Sequence, residues 1–225
     1  MRSNDSAAQR AYRLVFWDWN GTLLDDTAYA MSVRNRVFPS FGLSTIDSLR
    51  DYHEQFTFPI RAYYERAGVT EEMFVPIANA WMAEYVRGMA DIPLQPDALD
   101  ALALLAENGL SQIVLSASDL GILRAQLHLY PIEGYFADVL GLGHIFGDSK
   151  TSIGVSYMRE NAIKPESCVM LGDTLHDAEV AQGMGCDCVL IARGHQSAES
   201  LRTAGVPVFD HLRQAVEHVI AFSED

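Results

Sequence analysis

The sequence predicts an α/β protein built on a mostly parallel sheet, with a helical segment spliced in early. Three observations predict it. Short apolar runs suited to buried strands alternate with helical segments from about residue 97 onward. One further run, Leu14–Trp17, stands near the start and stops at Asp18. Between the two regions, from Thr27 to about Asp91, the pattern is helical throughout and rich in aromatic residues.

Each element has a local reason. Residues 1–9 are polar and read as a disordered, solvated tail. In the insert, Phe74, Ile77, Trp81 and Tyr85 recur at helical spacing. Thr70 before Glu71 and Glu72 makes a helix start, while Pro76 reads as the true first turn or a kink. After Pro93 and Pro96 come a helix at Asp97–Asn108, stopped by Gly109, and a strand at Gln112–Leu115. A helix at Leu120–Leu129 leads to a strand at Asp138–Leu142. A helix at Ser152–Asn161, closed by Lys164-Pro165, leads to the strand Ser167–Leu171. The helix Asp177–Met184, strands at Val189–Ala192 and Val206–Phe209, and the amphipathic helix Leu212–Phe222 complete the chain. Such alternation demands helices on both faces of the sheet. The expected division is a Rossmann-like core of residues 10–26 and 92–225 with a helical insert at 27–91.

Composition narrows the function. At 225 residues, 49% hydrophobic and 20% charged, the chain is an ordinary globular protein with enough length for a real core. A net charge of −14 argues against a nucleic-acid surface and against an anionic membrane. Lys150 and Lys164 are the only lysines. Cys168, Cys186 and Cys188 match neither a disulfide framework nor a zinc knuckle, and read as packing residues. No apolar run approaches bilayer length and Met1–Arg13 has no signal-peptide core, so the expected location is the cytoplasm.

Ligands of open parallel sheets bind beyond the carboxyl ends of the strands. Asp18 follows the first strand, Ser116 closes the second, Lys150 lies just before the helix after the third, and Asp173 follows the fourth. With Asp177, these supply a nucleophilic carboxylate, a hydroxyl, an ammonium and a second pair of carboxylates. That is a kit for phosphoryl transfer with a divalent metal. Taken singly, each motif has a plainer reading. Asn20-Gly21 is also a hairpin-turn signal, Asp173 also an N-cap, and Ser116 an ordinary strand-end residue. The order and spacing together carry the weight.

On these motifs, Asp18-Trp19-Asn20-Gly21-Thr22-Leu23, Ser116, Lys150 and Gly172-Asp173-Thr174-Leu175-His176-Asp177, the chain resembles the haloacid dehalogenase-like hydrolase superfamily. The resemblance runs from Leu14 to about Gly194 and lies in the branch with a helical cap after the first motif, near phosphoglycolate-phosphatase-like proteins. It implies a three-layer αβα Rossmann-like core with a cap closing over the site, and a phosphatase acting on a small phosphorylated metabolite. Asp18 would become an aspartyl-phosphate. Mg²⁺ would be held by Asp18, the main-chain carbonyl of Asn20 and Asp173, with Asp177 behind them. Thr22 and Ser116, with Ala117 beside it, would bind the phosphoryl oxygens, and Lys150 would neutralise charge.

One residue departs from that pattern. The family's phosphatases usually carry an acid/base Asp two residues after the nucleophile, where this chain has Asn20. An amide keeps the metal-binding carbonyl but cannot exchange the proton, a loss of about 10²–10⁴ in rate. Three expectations follow: leaving groups that need no proton, such as acyl or aryl phosphates; a substitute among His176, Asp26 and His53; or a catalytically silent phosphate-binding or regulatory module. His176 reads as a solvent-facing helix-start residue. In the insert, His53, Arg61, Tyr63 and Tyr64 are the candidates to face the site, with Arg61 pairing a substrate anion, while most of its aromatic residues read as the insert's own small hydrophobic core. The absence of lysine from 27–91 argues against Schiff-base phosphonate cleavage, and the retained acids of the fourth motif argue against dehalogenation. Arg193-Gly194-His195 reads as a surface turn near the rim.

Overall fold

The computed structural model describes residues 12–146 and 149–223, so the expected N-terminal tail lies outside the described residues. Six parallel strands form one sheet: β1 (Leu14–Trp17), β2 (Ser111–Asp119), β3 (Asp138–Leu142), β4 (Cys168–Gly172), β5 (Asp187–Ile191) and β6 (Val208–Phe209). Their spatial order is β3-β2-β1-β4-β5-β6, which places β1 and β4 side by side at the centre. Trp17 pairs with Leu171, so the residues that follow, Asp18 and Asp173, emerge together at the carboxyl edge. The Asp18 amide also donates to the Leu171 carbonyl at 2.8 Å.

Alternation along β1 explains the layers. Val15 and Trp17 pack into one buried cluster, which takes in α5 (Ala98–Glu107) and α10 (Leu212–Ala221). Leu14 and Phe16 pack into the other, against α7 (Thr151–Glu160), α8 (Leu175–Met184) and Leu201 of α9 (Ala198–Arg202). Phe16 and Trp17 are both fully buried, as a strand covered on two faces requires. Between β1 and α5 lie α1 (Thr27–Val37), α2 (Leu49–Gln55), α3 (Ile60–Arg66) and α4 (Glu71–Gly88); α6 (Leu120–Leu127) follows β2. This is the α/β, Rossmann-like core with added helices that the sequence predicts.

Three local readings change. β2 continues past Ser116 to Asp119, its register to β3 shifting between Leu115 and Asp119. Pro76 neither starts nor ends a helix: α4 runs through it. Asn20-Gly21 does not turn a hairpin, because the Leu23 and Leu24 amides fold back onto the Trp19 carbonyl at 3.1 and 3.0 Å and the chain proceeds into α1. Gly21 has φ +77°, a left-handed conformation that a side chain would resist.

Candidate active site

A cavity of about 160 Å³ lies between the carboxyl edge of the sheet and helices α1–α4. Its floor brings together Asp18, Asn20, Ser116, Ala117, Lys150, Asp173 and Asp177. Lys150 is only 1% exposed and bridges Asp18 Oδ1 and, at 2.8 Å, Asp177 Oδ1. Thr22 Oγ1 lies 3.0 Å from Asp173 Oδ1 and 3.4 Å from Asp18 Oδ2. The His195 amide donates to Asp173 Oδ2 at 2.6 Å. Ser116 Oγ accepts from the Ser118 amide at 3.1 Å, which leaves its own proton free to donate.

Two glycines allow this crowding. A Cβ on Gly21 would sit 2.3 Å from Asp173 Oδ2, and one on Gly194 only 1.9 Å from it. Asp177 belongs to the same packed cluster. It is buried, and its Oδ2 accepts from Thr174 Oγ1 at 2.7 Å and from the Thr174 and Asp173 amides at 3.0 and 3.2 Å.

The electrostatics leave a charge unanswered. Burial, with the charges of Asp177 and Asp173 adding to it and Lys150 opposing, pushes the Asp18 carboxyl up to about 8. Burial pushes Asp173 to about 6, against the nearby His195 charge. Asp177 resists burial because Lys150 holds it below the usual range, and the same two acids hold the buried Lys150 above its own. With all four carboxyls ionised, Asp18, Asp173, Asp177 and Asp26 against Lys150 and a protonated His195 would leave two negative charges, and the raised Asp18 carboxyl is the response of the cation-free site to that excess. Ligand oxygens of Asp18, Asp173 and Asp177 lie within 4.8 Å of one another. An oxygen-only donor set with that excess fits a divalent cation.

Asn20 sits in a second network. Its Nδ2 donates to Asp26 Oδ2 at 2.8 Å and to the Tyr85 hydroxyl at 2.9 Å, while its Oδ1 accepts from Ser118 Oγ at 2.7 Å. Asp26 also accepts from the Gly21 amide (2.8 Å) and from Tyr85 (2.7 Å), and pairs with His195 Nε2 at 3.3 Å. Despite burial, the His195 charge and these donors hold Asp26 below the carboxylate range. Burial alone would lower His195, but Asp26 raises it to about 9. The other ring nitrogen of His195 meets the Tyr52 hydroxyl at 2.9 Å. At neutral pH Asp26 is therefore ionised and His195 protonated, with every polar atom of both engaged. His53 Nε2 is occupied by the Gly194 carbonyl at 3.0 Å.

Several expectations need correction. Arg61 does not face the cavity: it pairs with Glu71, lies over the Phe74 ring at 4.0 Å and is 43% exposed at the side chain. The α3 face that turns inward carries Tyr63 and Tyr64 instead. His176 is buried rather than solvent-facing, stacked on Phe58 with ring centroids 4.7 Å apart. His195 is no surface turn. Its signal was position, since it follows β5 as Asp18 follows β1. Arg34 also lines the cavity, and it falls on the buried stripe Thr27, Ala30, Arg34 of α1, where an arginine is out of pattern.

Comparison with known proteins agrees with this geometry. The family model for haloacid dehalogenase-like hydrolases matches residues 15–191, and the chain belongs to that family. It is a hydrolase of the phosphatase-like kind. A phosphoglycolate phosphatase of Synechococcus elongatus is 24% identical over 84% of this chain and 88% of its own. Phosphoglycolate phosphatase 1 of Pseudomonas aeruginosa is 23% identical, covering 92% and 79%. Among solved structures, CbbY from Rhodobacter sphaeroides in complex with phosphate superposes with TM-score 0.70 at 20% identity, covering 89% of this chain and 95% of that one. Among the described residues, no helix is long and apolar enough to cross a membrane.

Proposed function

We propose that the protein is a Mg²⁺-dependent phosphohydrolase of small phosphorylated metabolites, working through an aspartyl-phosphate on Asp18. The observation that carries this reading is the Lys150 bridge between Asp18 and Asp177, set beside Asp173 at the sheet edge. Asp18, Asp173 and the Asn20 carbonyl would hold the cation, with Asp177 behind them because its own oxygens are already engaged. When bound, Mg²⁺ supplies charge neutralisation on the phosphoryl oxygens.

A carboxylate oxygen of Asp18 attacks phosphorus, and the bond to the leaving oxygen breaks with its electron pair departing on that oxygen. Ser116, with Ala117 alongside, binds the phosphoryl group and Lys150 offsets its charge, whereas Thr22, expected beside them, is fully buried outside the cavity lining with its hydroxyl on Asp173. Water then attacks phosphorus, the bond to Asp18 breaks, inorganic phosphate leaves and the water's proton passes to solvent. Residues 27–91 act as a cap over a core of residues 10–26 and 92–225, excluding water while the leaving group is held.

Asn20 sets the preference. Its amide is held on both sides and has no proton to give. Asp26 and His195 are too fully engaged to replace it, and His53 does not line the cavity. His176, whose Nε2 is unpaired, is the remaining substitute, removed from consideration if His176→Ala leaves turnover unchanged. The leaving groups that suit this site are those that depart unprotonated, acyl and aryl phosphates. Phosphate release with Mg²⁺ and with chelator, over acetyl, aryl and alkyl phosphates, tests the reading. Acyl and aryl substrates should turn over about 10²-fold faster or more than alkyl ones, and Asn20→Asp should narrow that gap. Equal rates across the three classes would sink the assignment of Asn20. Binding without turnover of any would leave the phosphate-binding module.

A further inference from the structure

Three buried polar atoms around this one cavity have no hydrogen-bond partner: Arg34 Nε, the Tyr63 hydroxyl and His176 Nε2. Their residues are 3%, 4% and 9% exposed. Leaving such a group unpaired costs about 1–3 kcal/mol, more for a charged one, so folded chains leave few. Two of them, Arg34 and Tyr63, are neighbours, and that pair points to a ligand that completes it.

Arg34 is the most demanding. A guanidinium stays charged when buried, and no carboxylate lies within ion-pair distance of it among the described residues. Its Nη1 donates to the Ser44 carbonyl at 2.9 Å, and its plane lies over Phe38 at 4.3 Å. Tyr63 is its neighbour: burial pushes that hydroxyl up to about 12, opposed by the Arg34 charge and by a side-chain contact with Arg34 too loose to satisfy either group. Lys150, by contrast, is answered by two acids, so the cation-rich end that lacks an anion is the Arg34 end.

The two ends are far apart. Asp26, the residue just before α1 that holds Asn20 beside the nucleophile, and Arg34 are eight residues apart, a rise of about 12 Å along the helix. The guanidinium reaches on to Phe38, a further turn along. The wall between is apolar, with Phe58, Ile60, Trp81, Met82 and Ile122 among its residues.

We propose that the cavity accepts monophosphates whose leaving group is an apolar, ring-sized body ending in a second anionic group, which Arg34 and Tyr63 hold. This rests on the phosphohydrolase reading and deepens it. An aryl body supplies the stable leaving oxygen that Asn20 requires, and the tail supplies the anion that Arg34 lacks. Phosphoglycolate, with two carbons between phosphate oxygen and carboxylate oxygens, is too short to span the two ends.

Calorimetric binding to the Asp18→Asn protein with Mg²⁺ tests the inference without turnover. The probes are 3-(4-phosphonooxyphenyl)propanoate, its neutral amide and phosphoglycolate. The expected result is at least ten-fold tighter binding of the acid than of either comparator, with the acid–amide gap lost in Arg34→Met and reduced in Tyr63→Phe. Equal affinities for acid and amide overturn the inference, as does a gap that survives Arg34→Met, or no binding at all. Tyr63→Phe removes one oxygen and keeps the ring, so it serves if Arg34→Met fails to fold, and the acid–amide comparison itself needs no change in the roof. Failure of the phosphohydrolase reading looks different: the unaltered enzyme releases no phosphate from any probe, yet the acid preference persists.

Discussion

At the floor of the cavity every charged group of the chain meets another, Lys150 between Asp18 and Asp177 and His195 against Asp26, whereas at the roof Arg34 meets none. The floor is built from strand ends, where β1 and β4 must emerge side by side whatever the substrate. The roof comes from helices inserted between β1 and β2, whose inward residues are free to vary. The contrast separates two tasks. A floor with nearly complete internal pairing, whose excess of carboxyls pushes Asp18 toward its neutral form, is prepared for one cation and one phosphoryl group. A roof with unpaired donors above apolar walls is prepared to choose what the phosphate is attached to.

The largest break in this picture comes from the nucleophile. Asp18→Asn should lower phosphate release by about 10³-fold or more. The carboxyl already tends toward its neutral form in the cation-free protein, so the same change should leave the thermal midpoint little altered. A variant that keeps a tenth of its turnover would move the nucleophile elsewhere on the floor.

Next in size is the crowding around Asp173. Gly194→Ala places a methyl group against Asp173 Oδ2, and the loop must shift to admit it. That loop also carries the His195 amide that orients Asp173, so Mg²⁺ affinity should fall about 10–100-fold, read by calorimetric titration of the metal alone. Unchanged affinity would show that Asp173 does not hold the cation.

How these features stand in the sequence differs with their origin. Leu14–Trp17 was legible to the residue because a buried parallel strand is an unbroken apolar run, and Asp138–Leu142, a half-buried edge strand, was legible from its place between two helical segments. The last stretch of β2 was not, since Ser116-Ala117-Ser118-Asp119 carries no such run and is held by pairing to β3. Asp18, Lys150, Asp173 and Asp177 were legible because motif and strand end coincide. His195 was not, because its partners Asp26, Tyr52 and Asp173 lie far away in the chain. Arg34 hid in a helix of mixed polarity beside a second arginine, and only its place on the stripe with Thr27 and Ala30 gave it away.

A smaller effect tests whether Asn20 is an accident or a fitted part. Asn20→Asp exchanges the donor facing Asp26 for a second carboxylate 2.8 Å away, in a buried network that otherwise satisfies every atom. The expected cost is about 1–3 kcal/mol of stability, read from the denaturant midpoint at neutral pH. Because Tyr85, Gln126 and Trp19 continue the same chain of hydrogen bonds, Asp26→Asn in the Asn20→Asp background should recover part of the loss. A stabilised Asn20→Asp protein would mean that the amide is not matched to its surroundings.

The smallest expected effect sharpens the roof. Arg61 and Arg34 are both arginines of the inserted helices, and only their surroundings distinguish them. Arg61 is solvated, paired with the exposed Glu71 and laid over Phe74, outside the cavity. A pair of that kind contributes about 0–1 kcal/mol, and the ring contact about as much. Arg61→Ala should therefore shift stability by no more than about 1–2 kcal/mol and leave kcat/KM for an anionic aryl phosphate within two-fold of the parent. A fall of ten-fold or more would return Arg61 to the roof, with the helix α3 turned to bring it inward, and the burial of Tyr63 and Tyr64 would then need another account.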